Sequence, residues 1–228
     1  MDGKKQCLTF DVLRFSINQV STPPMFTGII ETVGTVHALQ KEANNLHITI
    51  HSDISHELKI DQSIAHNGVC LTVVEVNAKE QLHRVTAIHE TLLKTNLNQL
   101  EVGHRINLER CMQANARIDG HFVQGHVDQT AQCTQIKESG GSWYFTFSYE
   151  PLTDNILVDK GSICIDGTSL TIVNATDSEF TVAIIPYTYE NTVFHAYRTG
   201  TIVNLEFDII GKYITALFKR YNRHTGNG

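Results

Sequence analysis

The chain has little proline (four residues), a single tryptophan, and five cysteines with no CxxC pair among them. An odd cysteine count without paired spacing argues against a disulfide framework and fits a reducing compartment, with the cytoplasm as the default. No run of roughly 18 apolar residues exists, so the sequence holds no membrane-spanning helix. Basic residues are also short: Lys and Arg number 18 against 24 Asp and Glu, a net charge of −6. General nucleic-acid binding needs a Lys/Arg excess to neutralise phosphates, which disfavours that class. The chain lacks a P-loop, GxGxxG or HExxH segment and has no Cys/His pairing at zinc spacing. No metal and no phosphate cradle are expected.

The 228 residues are 41% hydrophobic and 18% charged, a globular composition long enough for one large domain or two small ones. Residues 1–24 end in Ser21-Thr22-Pro23-Pro24, a stiff non-helical stop, and read as an N-terminal extension, tag or tail. Asp11 and Arg14 interrupt any apolar region there, making it a poor signal peptide.

From Met25 the dominant period is two. Leu46, Ile48 and Ile50 alternate with His47, Thr49 and His51, the pattern of a half-buried strand with its histidines on the solvated face. Val69–Val74, Arg105–Leu108, Trp143–Tyr149, Ser162–Ile165, Leu170–Asn174, Phe180–Ile184 and Ile202–Phe207 read the same way. Asn67-Gly68, Asp119-Gly120, Gly140-Gly141 and Asp166-Gly167 punctuate them as turns. Many short strands predict antiparallel barrels or sandwiches. The last stretch changes period: Ile210, Tyr213, Ile214, Leu217, Phe218 and Tyr221 form one helical stripe, with Lys212, Lys219, Arg220 and Arg223 off it or at its end. Such a helix packs on its own barrel or builds an oligomer with copies of itself.

The chain also repeats itself. Gln62–Val74 (QSIAHNGVCLTVV) matches Gly161–Val173 (GSICIDGTSLTIV), 99 residues on. Val102–Glu109 (VGHRINLE) matches Thr199–Glu206 (TGTIVNLE), and Phe26–Glu31 (FTGIIE) matches Val123–Asp128 (VQGHVD), both 97 residues on. Three blocks in one order at nearly one shift imply two copies of one fold. Where the copies differ, chemistry is expected: Cys70 stands opposite Ser169, and His126 opposite Ile29. A thiol of one barrel facing an imidazole and a carboxylate of the other is the candidate constellation. Each group also has a plainer reading: Cys70 as an inert buried thiol, His126 as a structural histidine, Lys160 as a solvated turn lysine, and Ser63, Ser169 and Thr171 as strand hydroxyls. Thr91 and Thr188, at equivalent positions, terminate a strand or hold a ligand.

The segments MFTGII (25–30), SIAHNGVCLTVV (63–74), HETLLKTNL (89–97), VGHRINLER (102–110), GHFVQGHVD (120–128), KGSICIDGTSLTIV (160–173) and VNLEFD (203–208) resemble those of riboflavin synthases of the alpha-chain, lumazine-binding barrel type. The resemblance runs from about Met25 to Tyr221. It implies an all-β fold of two tandem homologous six-stranded Greek-key barrels (25–117 and 118–208), then a C-terminal trimerisation helix and tail (209–228). It implies dismutation of two 6,7-dimethyl-8-ribityllumazine molecules: one donates four carbons to the other, giving riboflavin and 5-amino-6-(ribitylamino)uracil. It implies no cofactor, a homotrimer, and a site between the N-terminal barrel of one subunit and the C-terminal barrel of the next. Lumazine synthase is a further partner it admits; nucleic acid and membrane are not.

Carried over by position, contacts from the N-terminal barrel are Gly28, Ile29, Ile30, Ser63, Cys70, Leu71, Thr72, Thr86, Ala87, Ile88, His89, Glu90 and Thr91. Those from the C-terminal barrel are Gly125, His126, Val127, Lys160, Ser169, Leu170, Thr171, Ala183, Ile184, Ile185, Pro186, Tyr187, Thr188 and Asp208. Loss of a proton from the C7 methyl of one lumazine leaves a ring-delocalised carbanion, so a neighbouring base and hydrogen-bond donors suffice. His126 is expected to move that proton, with Ser63 and Thr171 relaying or polarising. Cys70 or a water would add at C7 of the second molecule, and Asp208 would orient or shuttle a proton. Tyr187 departs from the family, where an acidic residue or histidine is usual. A non-catalytic lumazine or flavin carrier of the same fold is the alternative; such carriers tend to lose the equivalents of His126 and Cys70, and both are present here.

Overall fold

A computed structural model describes residues 25–151 and 156–225; the expected extension, residues 1–24, lies outside them. The first copy forms β1 (Thr32–Glu42), β2 (Asn45–His51), β3 (Ser63–His66), β4 (Val69–Asn77), β5 (Leu82–Ala87) and β6 (Arg105–Arg110), which close in the order β1-β2-β5-β4-β3-β6. The second forms β7 (Gln129–Ser139), β8 (Ser142–Tyr149), β9 (Ser162–Ile165), β10 (Thr168–Ala175), β11 (Glu179–Ile184) and β12 (Ile202–Phe207), closed in the same cyclic order. Closure leaves no unpaired sheet edge and encloses every inward side chain. Alternation decides which those are: β2 buries Leu46, Ile48 and Ile50. The first core is aliphatic, built on Ile48, Ile50, Ile64, Ile106 and Leu108; the second is aromatic, built on Phe145, Phe147, Phe180 and Phe194. His47 is not simply solvated: its ring bonds Thr86 Oγ1 at 2.9 Å and Glu42 at 2.8 Å.

Strands β1 and β7 escape a reading by alternation because each carries a bulge, between Val36 and Ala38 and between Cys133 and Gln135, which shifts the phase mid-strand. Two short helices, α1 (His89–Lys94) and α2 (Pro186–Asn191), follow β5 and β11. Thr91 and Thr188 therefore lie within helices and do not terminate strands. Their carbonyls accept from the Thr95 and Thr192 hydroxyls, each at 2.7 Å.

The two hairpin turns Asn67-Gly68 and Asp166-Gly167 meet back to back between the barrels. All four residues have positive φ, the geometry of a tight hairpin turn. A Cβ on Gly68 would lie 2.6 Å from the Gly167 nitrogen, so the approach requires glycine. A seam of buried amides joins them: Asn204 Nδ2 donates to the Asn67 carbonyl at 2.8 Å, and Asn107 Nδ2 donates to the Asp166 carbonyl at 2.9 Å.

The chain ends in α3 (Ile209–Thr225). Asp208 caps it, Oδ1 accepting from Ile210 N at 2.9 Å, and Lys212 ties its first turn to Asp128 at 2.6 Å. Beyond that turn the stripe stands clear of the barrel: Tyr213, Ile214, Leu217, Phe218 and Tyr221 are each 60% exposed or more. Packing on its own barrel is thereby excluded for this face.

Candidate functional site

Each copy begins with a segment that its own barrel holds and the other barrel touches. Glu109, at the end of β6, accepts from Thr27 N at 2.7 Å, Thr27 Oγ1 at 2.8 Å and Gly28 N at 3.0 Å. Glu206, its equivalent on β12, accepts from Gln124 N at 2.7 Å, Gly125 N at 2.9 Å and His126 N at 3.0 Å. Held this way, Gly125 reaches across so that its carbonyl accepts from Cys70 N at 2.8 Å, and the Gly28 carbonyl accepts from Ser169 N at 2.7 Å. Both glycines have φ +77°, and a Cβ on either would lie 2.5 Å from the Cβ of Cys70 or Ser169. Only glycine permits these approaches. Phe26 and Val123 pair between the two segments and complete a small shared core with Ala65 and Cys164.

The exchange brings Cys70 and His126 to one cavity of about 260 Å³, lined also by Ile88, Glu90, Thr91, Gly125 and Val127 of the expected set. Val69, Lys94 and Thr95 line it too; Lys94 reaches it because its ion pair with Glu90, at 3.1 Å, folds back along α1. Ser63 hydrogen-bonds the Cys70 thiol, but burial dominates and pushes that thiol above its ordinary range. Cys70 is thus a neutral thiol at neutral pH, a donor and a shape element more than a nucleophile.

The matching surface of the second barrel holds Gly28 against Ser169. The Ser169 hydroxyl lies 2.6 Å from His121 Nδ1. Burial pushes His121 below the ordinary histidine range while nearby Asp208 opposes the shift. His121 is therefore a neutral imidazole at neutral pH, able to accept the serine proton. Among the described residues no group of three His, Cys, Asp or Glu is arranged to hold a metal ion.

The lumazine binding domain model matches this chain twice, at residues 27–111 and 124–208. The chain is 41% identical to the riboflavin synthase of Bacillus subtilis, over 88% of this chain and 93% of that protein. It is 38% identical to that of Schizosaccharomyces pombe, over 86% and 95%. The chain belongs to the riboflavin synthase family. By fold it is also similar to LumP complexed with 6,7-dimethyl-8-(1'-D-ribityl) lumazine, with a TM-score of 0.71, 21% identity, and coverage of 79% of this chain and 98% of that one.

Within this riboflavin synthase frame, the leading segments are grouped differently from the expectation. Gly28, Ile29 and Ile30 were expected with the N-terminal barrel's contacts, and Gly125, His126 and Val127 with the C-terminal barrel's. Gly28 lies on Ser169 and Gly125 on Cys70, so each triplet joins the pocket of the opposite copy. The cause is the exchange anchored by Glu109 and Glu206. Both glutamates, and His121, were missed. Their signal was available: VGHRINLE and TGTIVNLE both end in glutamate, and a carboxylate kept at one buried position of both copies needs a structural job. Burial raises both, Glu109 to about 7, against the N–H bonds that favour the charged form.

Several expected contacts enter the barrel walls. Leu71, Ala87 and Ile184 are core side chains, so a ligand could meet only their backbone. Leu170 packs against the second core, Thr72 and Thr171 lie exposed on β4 and β10, and Thr86 is tied to His47. Lys160 and its equivalent Asp61 both hold left-handed backbone, φ 65° and 68°. Ile29, Ile88 and Ile185 are about half exposed and Tyr187 is 72% exposed, while Pro186 opens α2 and His89 opens α1. Trp143 stacks on Tyr189 of α2 at 4.0 Å, placing the single tryptophan beside the 183–188 segment.

Proposed function

We propose that this riboflavin synthase works as a homotrimer in which the Cys70 pocket of one subunit faces the Ser169 pocket of the next. The activity is transfer of a four-carbon unit between two 6,7-dimethyl-8-ribityllumazine molecules, giving riboflavin and 5-amino-6-(ribitylamino)uracil. A reaction between two identical molecules suits two pockets that share a frame and differ in their groups. One observation carries the reading: the same crosswise strand-and-glycine contact occurs twice, with Cys70, Ser63 and His126 in one copy and Ser169, His121 and Asp208 in the other.

The neutral His121 and the exposed His126 are the available bases for the C7 methyl proton. Ser63 and Thr171 relay or polarise, and Asp208 caps α3 with its charge near His121. Because burial keeps Cys70 protonated, a water is the better group to add at C7 of the acceptor. Juxtaposing the two rings contributes through orientation. Incubating the protein with the lumazine and following riboflavin fluorescence tests the activity. Tight binding without turnover would favour the carrier reading, which the LumP likeness in fold alone supports.

The trimer rests on α3, whose exposed apolar stripe is the surface a second copy would cover. Truncation after Asp208 is expected to give monomers with less than about a tenth of the activity, by light scattering and fluorescence assay; an active monomer would overturn the shared site. The free thiols Cys70, Cys111, Cys133 and Cys164 support a reducing, cytoplasmic setting, and no helix of the described residues is long and apolar enough to cross a membrane. Co-elution with lumazine synthase on gel filtration tests that second partner.

A further inference from the structure

The pseudo-twofold axis relating the barrels opens onto a cavity of about 540 Å³, twice the size of the one at Cys70. Its walls come from equivalent positions of the two copies, but their chemistry has separated. The first copy contributes Asn96, Gln99 and Arg105; at the corresponding places the second contributes Val193, Ala196 and Ile202. At these three pairs polar and cationic side chains of the first copy face apolar ones of the second; Leu100 and His104 also line the first copy's side, and Asp166, Tyr197 and Thr201 the second's. A packed domain junction would need only matching apolar halves, and duplication would supply them without this divergence.

Arg105 is the unspent group. Arg84 and Arg110 hold carboxylates and Arg198 holds carbonyls, whereas Arg105 has no side-chain partner among the described residues. A guanidinium at the edge of a cavity, with the exposed Gln99 amide beside it and the aliphatic Val193 and Ile202 opposite, suits a planar ring that carries a phosphate or carboxylate, while the Asn96 amide is committed to Asp166, Asn204 and the Ile202 carbonyl. The floor does not forbid an anion. Asp166 is buried there with its oxygens filled by Asn204 N, Asn96 Nδ2 and the Tyr197 hydroxyl. Burial pushes its carboxyl up to about 7, so it is only partly charged at neutral pH.

We propose that this junction cavity is a binding site for an aromatic anion, its acidic group on Arg105 and its ring against Val193 and Ile202. The site is separate from the Cys70 pocket and stands whether or not the proposed reaction does. It is connected to both pockets, because its floor is the pair of turns that lead into the catalytic strands. Asn67 precedes Cys70 by three residues and Asp166 precedes Ser169 by three. An occupant bridges the two turns.

The test is titration of the full chain with 1-naphthyl phosphate, followed by the fluorescence anisotropy of the naphthyl group. Saturable binding of one molecule per chain is expected, weakened at least tenfold in Arg105→Gln and in Ile202→Asn, and unchanged in His126→Ala. Neutral 1-naphthol should bind wild type and Arg105→Gln alike. Absence of saturable binding at millimolar probe overturns the site. So does affinity that ignores Arg105→Gln, or that falls in His126→Ala, which would place the probe at Cys70.

Discussion

Replacing His126 with alanine is expected to lower riboflavin formation at least about 100-fold, the usual contribution of a positioned acid or base. The side chain is exposed and lines the cavity that also holds Cys70. Its backbone N–H, bound to Glu206 at 3.0 Å, holds the segment in place and survives the substitution. Nothing in the hydrogen-bonded frame requires the imidazole, so the fold and the assembly should persist. Stopped-flow turnover of the lumazine, with mass and melting temperature measured on the same sample, checks both halves. A variant within threefold of wild type would transfer the proton step to His121, whose contact with Ser169 makes it the alternative base.

The second large effect concerns acid and lies inside the first barrel. His66 and His83 are both buried, and their Nε2 atoms are 2.9 Å apart. His66 Nδ1 faces the Ile64 carbonyl at 3.2 Å and must donate to it. Its Nε2 therefore accepts from His83, whose Nδ1 in turn accepts from the Ser55 hydroxyl at 2.8 Å. Ser55 accepts from Ser52 at 3.0 Å. A second proton on His66 Nε2 would meet the His83 N–H head-on, and a second proton on His83 Nδ1 would force Ser55 to turn its hydroxyl toward Ser52.

Burial lowers His83 to about 4 and His66 well below its ordinary value. The unfolded chain takes up these protons near 6.5 and the folded chain resists, so stability from this pair is complete above about pH 6.5 and lost as pH falls toward 4. His83 alone implies a loss of about 3 kcal/mol over that window. The raised carboxyls Glu109 and Asp166 act with the opposite sign, since their folded forms bind protons more readily. The pair is isolated by comparison with a His66→Ile, His83→Phe variant, which copies Ile165 and Phe180 of the second barrel. Between pH 7 and pH 4 wild type should lose more than about 3 kcal/mol beyond what the variant loses in urea titrations, because His66 adds to His83. Parallel pH curves would sink the account.

The alternation of Leu46, Ile48 and Ile50, the Asn-Gly and Asp-Gly turns and the doubled QSIAHNGVCLTVV and GSICIDGTSLTIV blocks made the strands and their duplication legible, because period and turn chemistry are local. Strands β1 and β7 were not, since a mid-strand bulge reverses the phase on which the reading depends, and neither was β5, where the polar His83 takes an inward position. For the site, Cys70 and His126 could be named from the mismatches between copies.

The sequence by itself determined two copies of one closed β-unit and the residue types that could do chemistry. Only the tertiary structure decided which copy's segment serves which pocket. That depends on contacts among residues far apart in the chain: Glu109 and Glu206 holding loops about 80 residues away, and glycines whose missing Cβ lets Gly125 meet Cys70 and Gly28 meet Ser169. It also brought His121 to Ser169 and left the stripe of α3 uncovered. A repeat records similarity between copies, but the exchange between them arises from packing, which no local pattern encodes.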